Sequence, residues 1–215
     1  MDISLQLQQL RREYQSTALD SKVMEKDPIK QCEMLLAQAI AAQLPDPTAM
    51  VLATVNAEGR PHTRVVLLKG ISQQQFMFFT HYTSHKAHDI AQNPHVSLHF
   101  FWPLLERQMI IAGQAQRLGA ADSDAYFNTR PRESQISTWA SEQSQIIPSR
   151  AALLARQDAY REQFAGKEVP RPEDWGGYGV KPYAIEFWQG REQRLHDRLA
   201  YTLIDNVWEI NRLAQ

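Results

Sequence analysis

Cysteine is nearly absent from this chain of 215 residues, where Cys32 stands alone. A single thiol excludes an internal disulfide framework and a thiolate metal site. Long apolar runs are missing too. No stretch approaches the ~20 residues needed to span a bilayer. The opening MDISLQLQQLRREY is charged and Gln-rich and lacks the apolar core of a signal peptide. These absences lead us to expect a soluble, cytoplasmic chain with no membrane partner. Charge of one sign is also lacking. The 23 Lys+Arg and 24 Asp+Glu leave a net charge of −1, which argues against nucleic acid or an anionic surface as the main partner. GxGxxG, GxxxxGK and GxSxG do not occur, so Rossmann, P-loop and Ser-His-Asp hydrolase chemistry fall away.

What is present is an ordinary globular mix, 43% hydrophobic, in a length that suits one domain with a real core. Arg outnumbers Lys 16 to 7. Arg is the cation of planar, bidentate contact to carboxylate or phosphate, and genomic bias is the plain alternative. Cys32, among Met34, Leu35 and Leu36 in a helical stretch, reads as a buried inert thiol.

Hydrophobic spacing predicts a first helix over residues 3–14 with Ile3, Leu7 and Leu10 on one face. Asp27-Pro28 opens a second, running to about Gln43 with Ile29, Cys32, Leu36 and Ile40 in register. Strand patterns follow at 49–56, 61–69 and 75–80, a short helix capped by Ser84 at 84–93, and strands at 95–102 and 106–118. Three helices are expected, from Ser123 to about Arg130, from Pro131, and from Ser149 to Phe164; 166–177 reads as loop. Strands return at 182–189, 192–203 and 207–213. Helices, sheet, helices, sheet without βα alternation predicts an antiparallel α+β fold, with a closed barrel as the economical way to hide strand edges.

Three clusters carry candidate chemistry. On a strand, Arg194, His196 and Arg198 share one face; they form either a solvated outer face or an anion site. Arg64 and Lys69 are five apart, so an unbulged strand sends them to opposite faces, by snorkelling or to serve two anions. Tyr126, Arg130 and Ser134 bracket Pro131, which ends one helix and opens the next. They make a phosphate pocket, aided by free N–H groups at the helix start, or a polar corner between helices. His81, His85 and His88 cluster without a metal-ligand pattern, and no metal is expected.

Nine fragments, in order, resemble the pyridoxine/pyridoxamine 5′-phosphate oxidase family: RREY (11–14), DPTAMVLATV (46–55), RVVLLK (64–69), SHKA (84–87), LERQ (105–108), YFNTRPRESQIS (126–137), SEQS (141–144), WGGY (175–178) and EFWQGREQRLHDR (186–198). The resemblance implies an α+β chain, an antiparallel split β-barrel with flanking helices. Residues 1–215 would form one FMN-binding domain, with 1–45 a helical segment that includes a cover for the site. It implies a homodimer with FMN in clefts between the subunits. Pyridoxamine or pyridoxine 5′-phosphate would be oxidised to pyridoxal 5′-phosphate, and molecular oxygen reduced to hydrogen peroxide.

Carried over by position, Arg64 and Lys86 resemble FMN phosphate ligands, supported by Gln143 and Ser144. Val65, Lys69, Phe79, Thr80, His85, Gln108, Trp188 and Arg198 fall on further flavin-binding positions. Lys69, Tyr126, Arg130 and Ser134 match the pocket for the substrate phosphate. Arg194 and His196 match the catalytic pair that holds the pyridine ring, and Arg11 and Tyr14 the covering segment. The chain departs from the family at His85, where Arg is usual, at Phe79, where Tyr is common, and at Arg191, where Gly is common. Histidine, unlike Arg, loses its charge near neutral pH. FMN affinity should therefore be more pH-sensitive than in an Arg-bearing relative, and FMN titration of His85→Arg across pH checks this. A split-barrel flavin binder without oxidase activity, and a carrier of pyridoxal phosphate, are the rival readings. Arg194 and His196 speak against the first, because a pure flavin binder needs no pair to hold a pyridine ring.

Overall fold

Asp27 sets the start of a long helix. Its carboxylate accepts the Ile29 N–H at 2.9 Å and Pro28 fills the first helical position, so α2 (Pro28–Ala41) starts where its end groups are satisfied. The computed structural model describes residues 3–9, 12–14, 18–19, 22 and 24–215. Before α2 lies α1 (Ile3–Gln9). Helix was expected as far as residue 14, yet 12–14 are not helical, Ile3 and Leu7 are exposed, and Leu10 lies outside the described residues. In α2, Ile29, Cys32 and Leu36 are buried as expected, but Ile40 is 56% exposed. The buried stripe runs instead through Leu35 and Ala39.

The strands are β1 (Ala49–Val55), β2 (Pro61–Leu67), β3 (Gly70–Ser72), β4 (Gln75–His81), β5 (His95–Trp102), β6 (Arg107–Arg117), β7 (Trp175–Gln189), β8 (Asp197–Ile204) and β9 (Val207–Arg212). Between them lie α3 (His85–Gln92), α4 (Ala120–Thr129), α5 (Arg132–Ala140) and α6 (Arg150–Gln163). The sheet order is β2-β1-β5-β6-β7-β4-β3, with β8 paired to β7 and β9 to β8. β3–β4, β4–β7, β7–β8 and β8–β9 pair antiparallel: Thr80 faces Gly176 across β4 and β7, and Trp188 faces Arg198 across β7 and β8. The antiparallel α+β class expected from the element order is borne out.

Three expectations are corrected. β7 begins at Trp175 rather than 182, inside a stretch read as loop. The strand expected from 192 begins only at Asp197, after a 3₁₀ turn in which Gln193 and Arg194 take positive φ (55° and 59°). β2 stops at Leu67, and β3 intervenes before β4.

The chain packs as two compact units. One comprises Met1–Met50, Leu98–Ala112 and Tyr183–Gln215. It buries Cys32, Leu35, Phe187 and Tyr201, with the last two rings edge-to-face at 5.5 Å and the Tyr201 hydroxyl donating to the Glu25 carbonyl at 2.7 Å. Burial raises the Cys32 thiol well above its ordinary range, which fits an inert thiol. The other unit comprises Val51–Ser97 and Gly113–Pro182. Its helical side is centred on Phe127, Ile136, Phe164, Val169 and Trp175, with Phe79 and Tyr126 packed against them. Among the described residues no helix is long and apolar enough to cross a membrane.

Candidate active site

The second unit carries an open cavity of about 920 Å³. β2 supplies Arg64 and Val65, the following loop Lys69, and β4 Phe79, Thr80 and His81. The start of α3 supplies His85 and Lys86. Tyr126, Arg130 and Ser134 enter from the α4–α5 corner, and Gln143 and Ser144 from the loop after α5. Twelve of the predicted site residues are thus brought together here, with His81 beside them.

Lys86 defines one corner. It is 7% exposed, and its Nζ donates to Gln143 Oε1 (2.9 Å), Thr80 Oγ1 (3.0 Å) and Ser84 Oγ (3.4 Å). All three acceptors are neutral, and no carboxylate pairs with it among the described residues. Burial, then the charge of Arg64, pushes its pKa down to about 8. Thr80 Oγ1 donates to Gln143 Oε1 at 2.7 Å, and the His85 N–H reaches Ser144 Oγ at 3.4 Å, with Ser144 at φ 74°. Ser84 does not cap α3 as expected; its hydroxyl donates to the His81 carbonyl at 2.7 Å. Arg64 lies beside this group, and burial lowers its pKa against the opposing pull of Asp89. A buried ammonium held by neutral acceptors, with a guanidinium beside it, is chemistry awaiting an anion. The donor set fits a flavin phosphate.

Arg130 defines a second corner of the same cavity. Pro131 holds it out of the helix at ψ 145°. Its Nη1 donates to Thr138 Oγ1 at 2.6 Å, and the guanidinium lies 4.8 Å from the Trp175 ring centre. Burial lowers its pKa. Tyr126 stacks on Phe79 at 3.9 Å. Ser134 sits in the first turn of α5, but its N–H is taken by the Pro131 carbonyl at 2.8 Å. The expected free N–H at that position is therefore not available, and Ser134 can offer a phosphate only its hydroxyl. Arg64 and Lys69 line this one cavity rather than serving opposite strand faces, because β2 ends before Lys69. Lys69 also lines a smaller cavity of about 320 Å³ beyond Phe79 and Tyr126.

The other unit holds the remaining predicted residues that are described. Tyr14 packs edge-on against Trp188 (5.7 Å) and His196 (5.3 Å), and those two rings lie 4.8 Å apart. A Cβ on Gly190 would strike the Tyr14 ring, so glycine is what lets Tyr14 lie down there. His196 Nδ1 accepts the Arg191 N–H at 3.0 Å. Arg198 pairs twice with Glu186, at 2.8 and 3.1 Å, and Gln108 Oε1 meets His99 Nε2 at 2.9 Å. Arg194 is exposed, off any strand, so the same-face trio is not a strand face at all. Arg11 lies outside the described residues.

Sequence reasoning missed two residues behind the cavity wall and gave His81 only a place in a histidine cluster. His81 lines the cavity with Nδ1 buried and without a hydrogen-bond partner, 3.7 Å from Asp174 Oδ2; burial lowers its pKa. Thr54 and Asp89 stand behind Arg64. Only alternation along β1 and helical spacing from Lys86 signalled those two. Among the described residues no group of His, Cys, Asp and Glu is placed to hold a metal.

Comparison with known proteins gives concordant matches. The family model described as pyridoxamine 5′-phosphate oxidase matches residues 36–164, and that of the pyridoxine 5′-phosphate oxidase C-terminal dimerisation region matches 175–214. A pyridoxine/pyridoxamine 5′-phosphate oxidase from Teredinibacter turnerae is 52% identical over 98% of this chain and 100% of its own. One from Paraburkholderia phymatum is 50% identical over 97% and 98%. Among solved structures, PhzG from Burkholderia lata, in complex with tetrahydrophenazine-1-carboxylic acid, aligns with TM-score 0.88 and 30% identity over 93% of this chain and 99% of its own. A pyridoxamine 5′-phosphate oxidase-related FMN-binding protein from Nostoc punctiforme shares the fold, with TM-score 0.69 and 17% identity over 85% and 96%. The expected class, an antiparallel split β-barrel with flanking helices, is borne out.

Proposed function

The chain belongs to the pyridoxine/pyridoxamine 5′-phosphate oxidase family, and on that premise we propose that it oxidises pyridoxamine and pyridoxine 5′-phosphates to pyridoxal 5′-phosphate, using FMN and oxygen and releasing hydrogen peroxide. The observation that carries the reading is one cavity with two cationic corners, Lys86 with Arg64 and Lys69 with Arg130. Two phosphorylated aromatics need two such corners. FMN, when bound, supplies acceptance of a hydride equivalent from the substrate and its delivery to oxygen.

The protein's share is placement and charge. Arg64 and Lys86 hold the flavin phosphate, with Thr80, His85, Gln143 and Ser144 beside them, and Val65 and Phe79 line the wall. Lys69, Tyr126, Arg130 and Ser134 grip the substrate phosphate. Arg194 and His196 hold the pyridine ring, Gln108, Trp188 and Arg198 contact the flavin, and Arg11 and Tyr14 cover the site. The working form is a homodimer, in line with the matched dimerisation region, and FMN lies at the subunit interface. Both family matches draw on both compact units, which supports reading 1–215 as one FMN-binding domain. A cytoplasmic setting suits a chain whose one cysteine is buried and unpaired.

The test is direct. The purified protein should show a yellow flavin spectrum that bleaches with pyridoxamine 5′-phosphate under anaerobic conditions, and peroxide should form in air. Absence of both sinks the oxidase reading. Arg194→Ala should cost turnover far more than FMN retention; the opposite pattern would mean that the assigned roles are exchanged.

A further inference from the structure

Arg64 is held from one side only. Its Nη1 donates to Thr54 Oγ1 at 2.7 Å and to the Leu52 and His62 carbonyls at 3.2 Å each. Its Nη2 lies 3.8 Å from Asp89 Oδ2, too far for a hydrogen bond. Arg198 differs, since its guanidinium meets a carboxylate directly through two bonds to Glu186. Asp89 leaves the Nε and Nη2 edge of Arg64 without a hydrogen bond among the described residues.

Asp89 Oδ2 is itself a meeting point. Thr54 Oγ1 donates to it at 2.6 Å and His62 Nδ1 lies at 3.0 Å. Burial favours the neutral acid, but the hydrogen bonds from Thr54 and His62 and the charges of His62 and Arg64 outweigh it and keep the carboxylate ionised. Thr54 on β1 is fully buried, and Asp89 is 6% exposed on α3, one turn from Lys86. The single Thr54 hydroxyl thus joins Arg64 to the helix that carries the buried lysine. A guanidinium ordered during folding loses less freedom when an anion arrives.

We propose that Thr54 and Asp89 are positioning residues that fix the Arg64 guanidinium in the cavity wall, and thereby set the preference for flavin bearing a phosphate over phosphate-free flavin. The inference rests on the flavin reading above and goes beyond it by assigning residues that touch no ligand.

Two physical effects pull in opposite directions, so the sign of one measurement decides. As a mere negative charge near the anion, Asp89 would oppose phosphate binding, and Asp89→Asn would tighten FMN. As a positioning group it is needed, and the same change weakens FMN. Calorimetric titration of the flavin-stripped intact chain with FMN and with riboflavin separates these. Thr54→Val and Asp89→Asn should each weaken FMN about tenfold while leaving riboflavin unchanged. Thr54→Ser, which keeps the hydroxyl, should bind as wild type. Tighter or unchanged FMN binding in both variants, or equal losses for both flavins without rescue by Ser, overturns the proposal. A wild-type chain that binds neither flavin defeats the flavin reading and the inference with it.

Discussion

Lys86 is the residue on which pH acts most visibly. Its folded pKa of about 8 lies below its ordinary 10.5 because burial and Arg64 both disfavour the ammonium. Below about pH 8 the charge is kept and available to an anion, so FMN affinity should fall as pH rises through that value. Titrating FMN against wild type and Lys86→Arg checks this, since Arg stays charged and the fall should vanish. Folding responds in the opposite sense. Between about 8 and 10.5 the unfolded chain binds the proton that the folded chain has lost, so ligand-free stability rises with pH across that window. Urea midpoints at its two ends should show the rise in wild type and lose it in Lys86→Met.

At the scale of elements, β7 shows where packing overrides propensity. A strand beginning Trp-Gly-Gly is a poor expectation from sequence, because glycine weakens strands. Here Gly177 is demanded by its neighbours, since a Cβ would sit 2.5 Å from Leu118 Cδ1 and 2.9 Å from Phe79 Cε1. Gly177→Ala should cost about 1–3 kcal/mol by overpacking, read as a lower urea midpoint. It should also raise KM, because Phe79 stacks on Tyr126 in the cavity wall. Asp27→Ala, which removes the α2 cap, should cost about 1 kcal/mol and leave KM alone. Elements with local signals were legible in the same way: Asp27-Pro28 for α2, Ser149 for α6, whose side chain accepts the Ala152 N–H at 3.1 Å, and Asp205-Asn206 with both φ positive for the last turn. The cavity residues of β2, α3 and the α4–α5 corner were legible because resemblance fixed their positions. Arg194 and His196 were placed on a strand because alternation cannot register a turn with two positive φ values. Thr54 and Asp89 went unnoticed because their role lies in contacts between residues 35 apart.

At the scale of the whole molecule, the question is which copy completes which site. Lys86, Arg64 and Arg130 belong to one compact unit, and Trp188, Arg194 and His196 to the other. With FMN in clefts between subunits, as proposed, each site would take the first set from one copy and the second from its partner. Two inactive variants should then rescue each other. In a mixed dimer of Arg130→Ala and Arg194→Ala, one site collects both substitutions and the other collects neither. Random pairing makes half the dimers mixed, each with one of its two sites intact, so roughly a quarter of wild-type activity should return on mixing. If each copy builds its site from its own residues, every site in the mixed dimer carries one substitution and no activity returns. Unfolding and refolding the two variants together, with each refolded alone as the control, makes the measurement, and a null result would reassign the second set to its own chain.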